Sequence, residues 1–328
     1  MGIIKERRKL NRAIRNSKTI FLMAHKYLDL DALGSQIGMY MLLKKKKKKC
    51  YIIIDDKNHE MGVEKVLREL EGCIDIIRGE DIEKYMYPRH SKNLLIILDT
   101  NKIELVQNQE VLSKIKNKLI IDHHDLGSTT IKNAILIDDP DTSSTCEMIA
   151  SLIEYYDVDL ESYYATILLS GIVLDTNNYT LNTNVDTYYI SYFLASLGAS
   201  AKKVQYLLKQ DLGEYTERQK LMSSIETIDG KIAFTKGTSN TQYRKEDLAK
   251  VADTLLFFNN IEASFVIGKI GKDKVGVSAR SLGNYDISKI LEKLGGGGDS
   301  NSGAATFEKT SISKVEQFIK KLIKEEGE

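Results

Sequence analysis

The side chains best suited to chemistry lie in four short segments rich in aspartate and histidine. These segments are His25-Lys-Tyr-Leu-Asp29-Leu-Asp31, Asp99, Asp122-His123-His124 and Asp175. Carboxylates that are crowded together repel one another, and burying them without partners is costly. Divalent cations remove this repulsion, and mixed carboxylate and imidazole ligands without thiolates favour manganese, iron, cobalt or zinc over calcium. The sequence therefore predicts a site for two divalent ions, whose charges balance those of Asp29, Asp31, Asp99 and Asp175.

A pair of ions held in this way would suit phosphoryl transfer. Two ions about 3.5–4 Å apart can share a bridging water, lower its pKa and stabilise the phosphoryl oxygens that the resulting hydroxide attacks. Each segment alone has a simpler interpretation, because an aspartate after a strand commonly caps a helix or forms a turn. A His-His pair alone can be a chance event. The four segments together, each at the exit of an apolar element, favour the metal centre.

The elements that precede these segments must bring them together. Apolar runs predicted to be strands are Thr19–Ala24, Cys50–Asp55, Leu94–Leu98, Lys118–Ile121 and Ala134–Ile137. Runs without polar alternation are typical of a parallel sheet that is covered on both faces. Apolar residues at helical spacing predict a helix from Ala32 to Lys44 between the first two strands. In a doubly wound, mostly parallel α/β sheet the carboxyl ends of the strands lie at one edge, which is the usual ligand position.

The last third of the chain has a different pattern. Strands are predicted at Lys231–Lys236, Ala263–Lys269 and Lys274–Ala279, and a helix over Ile287–Leu294. A final helix is predicted to begin with a capping box of Ser313 and Glu316. Its buried stripe would be Val315, Phe318, Ile319, Leu322 and Ile323. We therefore predict a catalytic metal-binding domain at 1–208, a helical linker at 209–224 and a second, smaller α/β domain at 225–328.

Residues of this second domain could bind a phosphate or a base. In the segment Ser278-Ala-Arg280-Ser281, the arginine could form a forked contact with phosphate or stack on a base. The run Gly295, Gly296, Gly297 and Gly298 could present backbone N–H groups to a phosphate. A flexible helix end or linker is the alternative for the glycines. Their place near the Ser-x-Arg-Ser segment favours binding.

Composition excludes several classes of protein. The 328 residues include 47 Lys and Arg and 46 Asp and Glu, so a net charge of +1 gives no overall attraction to long nucleic acid. The apolar runs are shorter than the roughly 20 residues of a membrane-spanning helix. Three widely spaced cysteines without a CxxC motif favour a reduced, cytoplasmic protein. The lysine run Lys44–Lys49 is predicted to be a solvated helix end, with a nucleic-acid contact as the alternative.

Taken together, the motifs resemble those of the DHH phosphoesterases. The four acidic and histidine segments are similar to the four motifs of that family, and Ser278–Ser281 with Gly295–Gly298 resembles the signature of its DHH-associated domain. The segments Ala263–Gly268 and Val275–Gly283 are most similar to the catalytic part of bacterial cyclic-di-AMP phosphodiesterases of the GdpP type. The resemblance covers about residues 15–325.

The resemblance implies a cofactor, a substrate and roles for the residues. It implies two Mn²⁺ ions, although other divalent transition metals remain open. One ion would be held by His25, Asp29, Asp99 and Asp175, and the other by Asp31, Asp99, His123 and Asp175. His124 would act near the scissile phosphate, and Asp122 would orient an imidazole. The second domain would close over the cleft and bind the cyclic dinucleotide through Ser278, Arg280, Ser281 and the glycine run. The first domain would then hydrolyse it to linear pApA, and onward to AMP.

Two departures from the family pattern leave alternatives open. Position 299 is Asp, whereas the family normally has a histidine after the glycine run. GdpP-type proteins usually carry membrane helices and sensory domains before this part, so the chain is either a stand-alone protein or an excised piece. A nanoRNase or pAp phosphatase of the same superfamily is one alternative function. A non-catalytic nucleotide sensor, which Asp299 favours, is the other, and a homodimer is left open.

Overall fold

The computed structural model describes residues 2–55, 59–283, 285–298 and 301–327. The chain forms two compact units, Met1–Lys209 and Gln210–Glu328. The segment predicted to be a linker, 209–224, contains a helix, Leu212–Met222, that belongs to the second unit. Each unit has its own sheet and its own hydrophobic clusters.

The first unit is built on a six-stranded parallel sheet, as predicted for a doubly wound α/β domain. Its strands are β1 Thr19–Met23, β2 Lys49–Ile53, β3 Ile76–Ile77, β4 Asn93–Leu98, β5 Asn117–Asp122 and β6 Ile135–Asp138. Their order is β3-β2-β1-β4-β5-β6, so the direction of winding reverses between β1 and β4. The predicted strands agree within about two residues, and the two-residue β3 was not predicted.

Both faces of this sheet are buried, which explains its strands of unbroken apolar sequence. Ile20 and Leu22 of β1 lie in one hydrophobic cluster, whereas Phe21 and Met23 lie in another. Since successive side chains of a strand point to opposite faces, each cluster marks one face of the sheet. A strand covered on both sides leaves no polar position until it ends, so the polar residues of the site come at the strand exits.

Helices cover the sheet. In the first unit they are α1 Gly2–Lys5, α2 Arg7–Asn16, α3 Leu30–Lys45, α4 Met61–Glu69, α5 Ile82–Tyr85, α6 Gln109–Lys114, α7 Thr145–Tyr155, α8 Ser162–Asp175, α9 Val185–Ser196 and α10 Ala201–Leu207. Helices α3, α7 and α8 pack against one another. At Gly171 of α8, a Cβ atom would lie 2.9 Å from the Cα of Asp31. The missing side chain thus lets α8 approach the start of α3, where two site residues lie.

The second unit contains a smaller mixed sheet. Its strands are β7 Glu226–Ile228, β8 Ile232–Lys236, β9 Ala263–Gly271, β10 Lys274–Ser281, β11 Gly297–Gly298 and β12 Ser302–Glu308, in the order β11-β12-β10-β9-β8-β7. Only the β8–β9 pair is parallel among the strand pairs of this sheet in the described residues. Its helices are α11 Leu212–Met222, α12 Lys245–Leu255, α13 Ser288–Lys293 and α14 Ile312–Gly327. This unit confirms the expected second α/β domain.

Two details predicted for the final helix are wrong. Helix α14 begins at Ile312, and the serine that accepts a hydrogen bond from its first turn is Ser311, whose Oγ lies 3.3 Å from the N of Lys314. Ser313 is therefore already inside the helix. Phe318 is 41% exposed, whereas the other residues predicted for the buried stripe are buried. Phe318 lies at the edge of the buried stripe, where helical spacing does not separate buried from exposed positions.

In the part of the chain that the structure describes, no helix combines the length and the apolar character needed to span a lipid bilayer.

Candidate metal site

The predicted site residues of the first unit meet at the point where the winding of the sheet reverses. His25 follows β1, and Asp99 follows β4, which pairs with β1. His123 follows Asp122, the last residue of β5. Asp175 is the last residue of α8. A crevice at the carboxyl ends of strands on either side of such a reversal is the usual binding position in open α/β sheets.

Two aspartates belong to the start of α3. Asp29 is its N-cap, and one carboxylate oxygen accepts a hydrogen bond from the N of Ala32 at 2.9 Å. Asp31 is fully buried in the first turn. Its two oxygens accept hydrogen bonds from the backbone N–H groups of Thr145 at 2.8 Å and Cys146 at 2.7 Å. These donors form the N-terminus of α7, whose dipole favours a negative charge.

The side chains form two groups that could each hold a metal ion. One group is His25, Asp29 and Asp99, and the other is Asp31, His123 and Asp175. Asp99 connects them, because its carboxylate lies 3.2 Å from Nε2 of His25 and 3.6 Å from Nε2 of His123. A third group joins Asp99 to His123 and His124. The structure thus brings together all six residues predicted as ligands: His25, Asp29, Asp31, Asp99, His123 and Asp175.

The donor atoms fit bound cations. Nδ1 of His25 lies 2.7 Å from the carbonyl oxygen of Lys26, which can only accept a hydrogen bond. In a neutral ring the lone pair is then on Nε2, which faces Asp29 and Asp99. Nε2 of His123 is buried and has no hydrogen-bond partner among the described residues, although an oxygen of Asp175 lies 3.2 Å away. A buried imidazole nitrogen among carboxylates is the arrangement that a metal ion completes.

Burial and crowding perturb the ionisation of the group. Burial, together with repulsion from Asp99 and Asp175, raises the pKa of Asp31 well above its usual value. Burial also raises the pKa of Asp175 to about 6, although attraction to His123 opposes this shift. Burial acts in the same direction on Asp99, but its interactions with the three histidines hold the pKa of that carboxyl well below normal. The carboxylates therefore need positive charge to remain ionised together, and divalent cations would supply it.

His124 has a different environment from His123. Its side chain is 51% exposed, and Nδ1 lies 2.8 Å from an oxygen of the buried Asp122. Burial lowers the pKa of His124, but the hydrogen bond to Asp122 and the nearby aspartates outweigh it and raise that pKa to about 10. The other oxygen of Asp122 accepts a hydrogen bond from Asn101 at 2.7 Å. Asp122 thus orients the ring of His124, whose Nε2 edge remains available to another molecule.

The central aspartate is held in an unusual backbone conformation. Asp99 has φ +61°, in the left-handed region that non-glycine residues seldom occupy. Its Oδ1 accepts a hydrogen bond from the hydroxyl of Thr145 at 3.0 Å. Strained residues of this kind concentrate at functional sites, where the surrounding structure holds them in place. Thr145 was missed by sequence reasoning, although the serines before it signal a helix start.

We expect Thr145→Val to weaken metal binding about tenfold, because partners that orient a metal ligand typically contribute 10- to 100-fold in affinity. The substitution removes the hydroxyl that orients Asp99 and keeps the size of the side chain. Titration with Mn²⁺ followed by calorimetry would measure the effect. Thr145→Ser retains the hydroxyl and should bind metal as the wild type does, so equal affinities for all three proteins would contradict this role.

The other predicted residues lie in the second unit. Ser278 and Arg280 occupy alternate positions of β10, so they share one face of its sheet. Nε of Arg280 donates a hydrogen bond to Asp253 of α12 at 2.6 Å, and one terminal nitrogen donates to the carbonyl of Ala279 at 2.9 Å. The hydroxyl of Ser281 accepts a hydrogen bond from the N of Gly283. Asp253 was not predicted from the sequence.

The glycine run is partly a strand. Gly297 and Gly298 form β11 and pair with Ala304 and Gly303 of β12. Since β12 also pairs with β10, the glycines lie two strands away from Ser278, at the same level. At Gly296, a Cβ atom would lie 2.4 Å from the carbonyl oxygen of Ala304, so this position excludes a side chain. Asp299, which replaces the expected histidine, lies outside the described residues.

Relatives with named activities resemble the chain over most of its length. It is 33% identical over 315 residues to the cyclic-di-AMP phosphodiesterase PdeA of Listeria monocytogenes, covering 94% of this chain and 48% of the relative. It is 34% identical to the cyclic-di-AMP phosphodiesterase GdpP of Geobacillus thermodenitrificans, covering 96% and 48%. The chain thus spans about half the length of these curated relatives. It is also 24% identical to the bifunctional oligoribonuclease and PAP phosphatase NrnA of Thermus thermophilus, covering 94% and 90%.

One further comparison concerns the fold, and another concerns the family. The crystal structure of an exopolyphosphatase-related protein from Bacteroides fragilis matches with a TM-score of 0.77 and 21% identity, covering 96% of this chain and 95% of the other, which supports the fold. Residues 19–172 match the N-terminal domain of the DHH family, and residues 228–326 match the DHHA1 domain. The chain therefore belongs to the DHH family, with a DHHA1 domain after its DHH domain.

Proposed function

We propose that this chain is a metal-dependent phosphodiesterase that hydrolyses cyclic di-AMP to linear pApA. The observation that carries the proposal is the joining of two carboxylate–imidazole groups through Asp99 at the reversal of the sheet. The proposed substrate is taken from the names of the Listeria and Geobacillus relatives, which are cyclic-di-AMP phosphodiesterases. The acidic and histidine motifs of the DHH domain and the Ser-x-Arg-Ser segment of the DHHA1 domain are both present.

Two Mn²⁺ ions are the proposed cofactors. His25 and Asp29 would bind one ion, Asp31 and His123 the other, and Asp99 and Asp175 would contribute to both. When bound, such ions acidify a water molecule and neutralise charge that develops on the phosphoryl oxygens. Among the described residues, no cysteine belongs to either group, and ligands of this kind suit manganese, iron, cobalt or zinc.

The chain itself would direct the breakage of one phosphodiester bond. Hydrolysis adds a hydroxyl to phosphorus and releases a ribose 3′ oxygen, which takes up a proton. Asp122 fixes the ring of His124, so its second nitrogen can either stabilise charge on the phosphate or donate that proton. Asp31 is already oriented by two backbone N–H groups, which limits the rearrangement needed for metal binding.

The DHHA1 domain is the proposed source of nucleotide contacts. Asp253 engages Nε of Arg280, and one terminal nitrogen contacts the backbone, which leaves the other for a phosphate or a base. Ser278, Ser281 and the glycine run are the remaining candidates. Because they come from a different compact unit, we propose them as residues that bind substrate and do not break bonds.

Asp253→Asn should raise the KM for cyclic di-AMP about tenfold and leave kcat nearly unchanged. The amide keeps the size of the side chain but loses the charge that holds the guanidinium, so Arg280 would be less well positioned. Steady-state kinetics would separate the two constants. Asp273→Asn, at the turn after β9, serves as the control. A fall in kcat with unchanged KM would contradict a positioning role.

A same-family alternative has one observation in its favour. The Thermus NrnA relative, which is named as a bifunctional oligoribonuclease and PAP phosphatase, matches 94% of this chain. The match therefore includes both the DHH domain and the DHHA1 domain. Activity on pApA or pAp is the corresponding second candidate function.

Product analysis tests both candidates. The protein would be incubated with equal concentrations of cyclic di-AMP, pApA and pAp, with Mn²⁺ or with a chelator, and products would be separated by chromatography. Fastest turnover of cyclic di-AMP to pApA, with loss of activity in chelator, is expected. A strong preference for pAp or pApA would select the alternative. Binding of cyclic di-AMP without hydrolysis in excess Mn²⁺ would instead indicate a nucleotide sensor.

A further inference from the structure

An open groove of about 470 Å³ lies in the first unit between α2 and the turn after α3, and we call it the basic groove. Five of the seven residues that line it are basic. The lining residues are Arg8, Asn11, Arg12, Ile14, Arg15, Lys46 and Lys48. The three arginines are at positions i, i+4 and i+7 of α2, so they project from one side of the helix. None of the residues proposed to bind metal or substrate lines this groove.

The cations of the basic groove lack carboxylate partners. Within the described ranges, neither the three arginines nor the two lysines form an ion pair with Asp or Glu, although Lys44 of the same lysine run pairs with Asp75. The chain has nearly equal numbers of acidic and basic residues. An uncompensated group of five cations is therefore a local feature and is not a consequence of overall composition.

The two lysines are held in place by neutral groups. Nζ of Lys48 donates hydrogen bonds to the carbonyl oxygens of Ser17 at 2.9 Å and Arg15 at 3.4 Å, at the end of α2. Nζ of Lys46 lies 3.6 Å from the centre of the Tyr156 ring. The Tyr156 hydroxyl accepts a hydrogen bond from Asn11. Burial and neighbouring lysines lower the pKa of both Lys46 and Lys48. The positive charges of these two lysines are therefore not balanced by nearby negative charge.

We propose that the basic groove binds an oligophosphate, either a free linear oligophosphate or the phosphate chain of a nucleoside triphosphate. Guanidinium groups pair with phosphate oxygens through two parallel hydrogen bonds, and lysines add point charges. A ligand with several phosphates carries enough negative charge to neutralise cations on both walls at once. The site is separate from the proposed hydrolysis and does not depend on it.

The dimensions favour a small ligand over a nucleic acid. The volume lies within the range of about 300–1,000 Å³ that is typical of small-molecule sites. Single-stranded nucleic acid is usually bound on aromatic rings against which successive bases stack. No aromatic residue is among the described residues that line the groove, and Tyr156, which contacts two of them, is covered by Lys46 on that side.

Calorimetric titration of the whole chain with sodium tripolyphosphate, ATP and inorganic phosphate tests the proposal. The titrations would be done in EDTA at constant ionic strength, so that no divalent ion bridges the ligand to the DHH motifs. Tripolyphosphate is expected to bind, and inorganic phosphate to bind at least about tenfold more weakly because it engages fewer cations. Equal affinity for ATP would indicate that the phosphates alone are recognised, and tighter binding of ATP would indicate a nucleoside source.

Variants then locate the binding. The double substitution Arg12→Gln and Arg15→Gln should weaken tripolyphosphate binding at least about tenfold, because two forked contacts are lost. Arg68→Gln with Arg89→Gln removes the same charge from exposed positions outside the groove and should change the affinity less than twofold. Thermal unfolding should show that both proteins are folded. Equal losses in the two variants, no binding of tripolyphosphate, or tighter binding of a short RNA than of tripolyphosphate would overturn the proposal.

Discussion

Asp99→Asn is expected to abolish metal uptake and to lower phosphodiester hydrolysis by about 10³-fold or more, the scale seen when a central catalytic group is removed. Asp99 is the one residue that contacts both His25 and His123 in the two groups described above. Its loss removes the charge that connects them and leaves the histidines and the remaining carboxylates without a shared partner. Metal content after dialysis and the rate of pApA formation would be measured together.

The control for this substitution is Asp81→Asn, which changes an exposed aspartate of the same unit that is paired with Lys84. It should retain full activity and metal content. Normal turnover by Asp99→Asn would contradict the bridging role. Normal metal uptake without turnover would place Asp99 in substrate chemistry alone.

His124→Gln is expected to lower kcat by about 10²- to 10⁴-fold, the usual contribution of a positioned acid or base, while metal binding stays within about twofold of the wild type. Asp122 orients the His124 ring through its hydrogen bond with Nδ1. The His124 side chain is half-exposed, so the carboxylates of the two ligand groups do not enclose it. The separation of hydrolysis from metal uptake is the feature that distinguishes His124 from Asp99. Single-turnover hydrolysis and Mn²⁺ titration would measure the two effects.

His90 provides a matched control, because it is an exposed histidine in the same unit and lies in none of the candidate metal groups. His90→Gln should behave as the wild type. If His124→Gln lost Mn²⁺ together with activity, His124 would be a metal ligand and not a group that acts on the phosphate.

The candidate metal ligands could be predicted from sequence because the topology of the sheet determines where they lie. Strands β1, β4 and β5 are unbroken apolar runs, so they could be recognised as members of a parallel sheet. Each is followed within two residues by aspartate or histidine. Once the strands are parallel, their exits share an edge, and residues far apart in sequence must converge there.

The contacts that orient these residues could not be predicted. Thr145 and Asp31 are 114 residues apart, and their hydrogen bond depends on how α7 packs against the start of α3. Arg280 and Asp253 meet across a sheet and a helix of the second unit. Such pairs leave no periodic pattern, because the packing that creates them is determined by the whole fold. The cap of α14 was misplaced for a simpler reason, since Ser311 and Ser313 are equally good capping residues by type.

The distribution of the ligand groups along the chain has a consequence for folding. Four segments between residues 25 and 175 supply them, and an unfolded chain cannot bring these segments together. Ions bound there would therefore associate with the native state and not with the unfolded chain. By mass action, an ion at about 100 times its Kd adds about 2.7 kcal/mol to the free energy of unfolding. The availability of metal in the cell would then set how much of this protein persists, in addition to how fast it works.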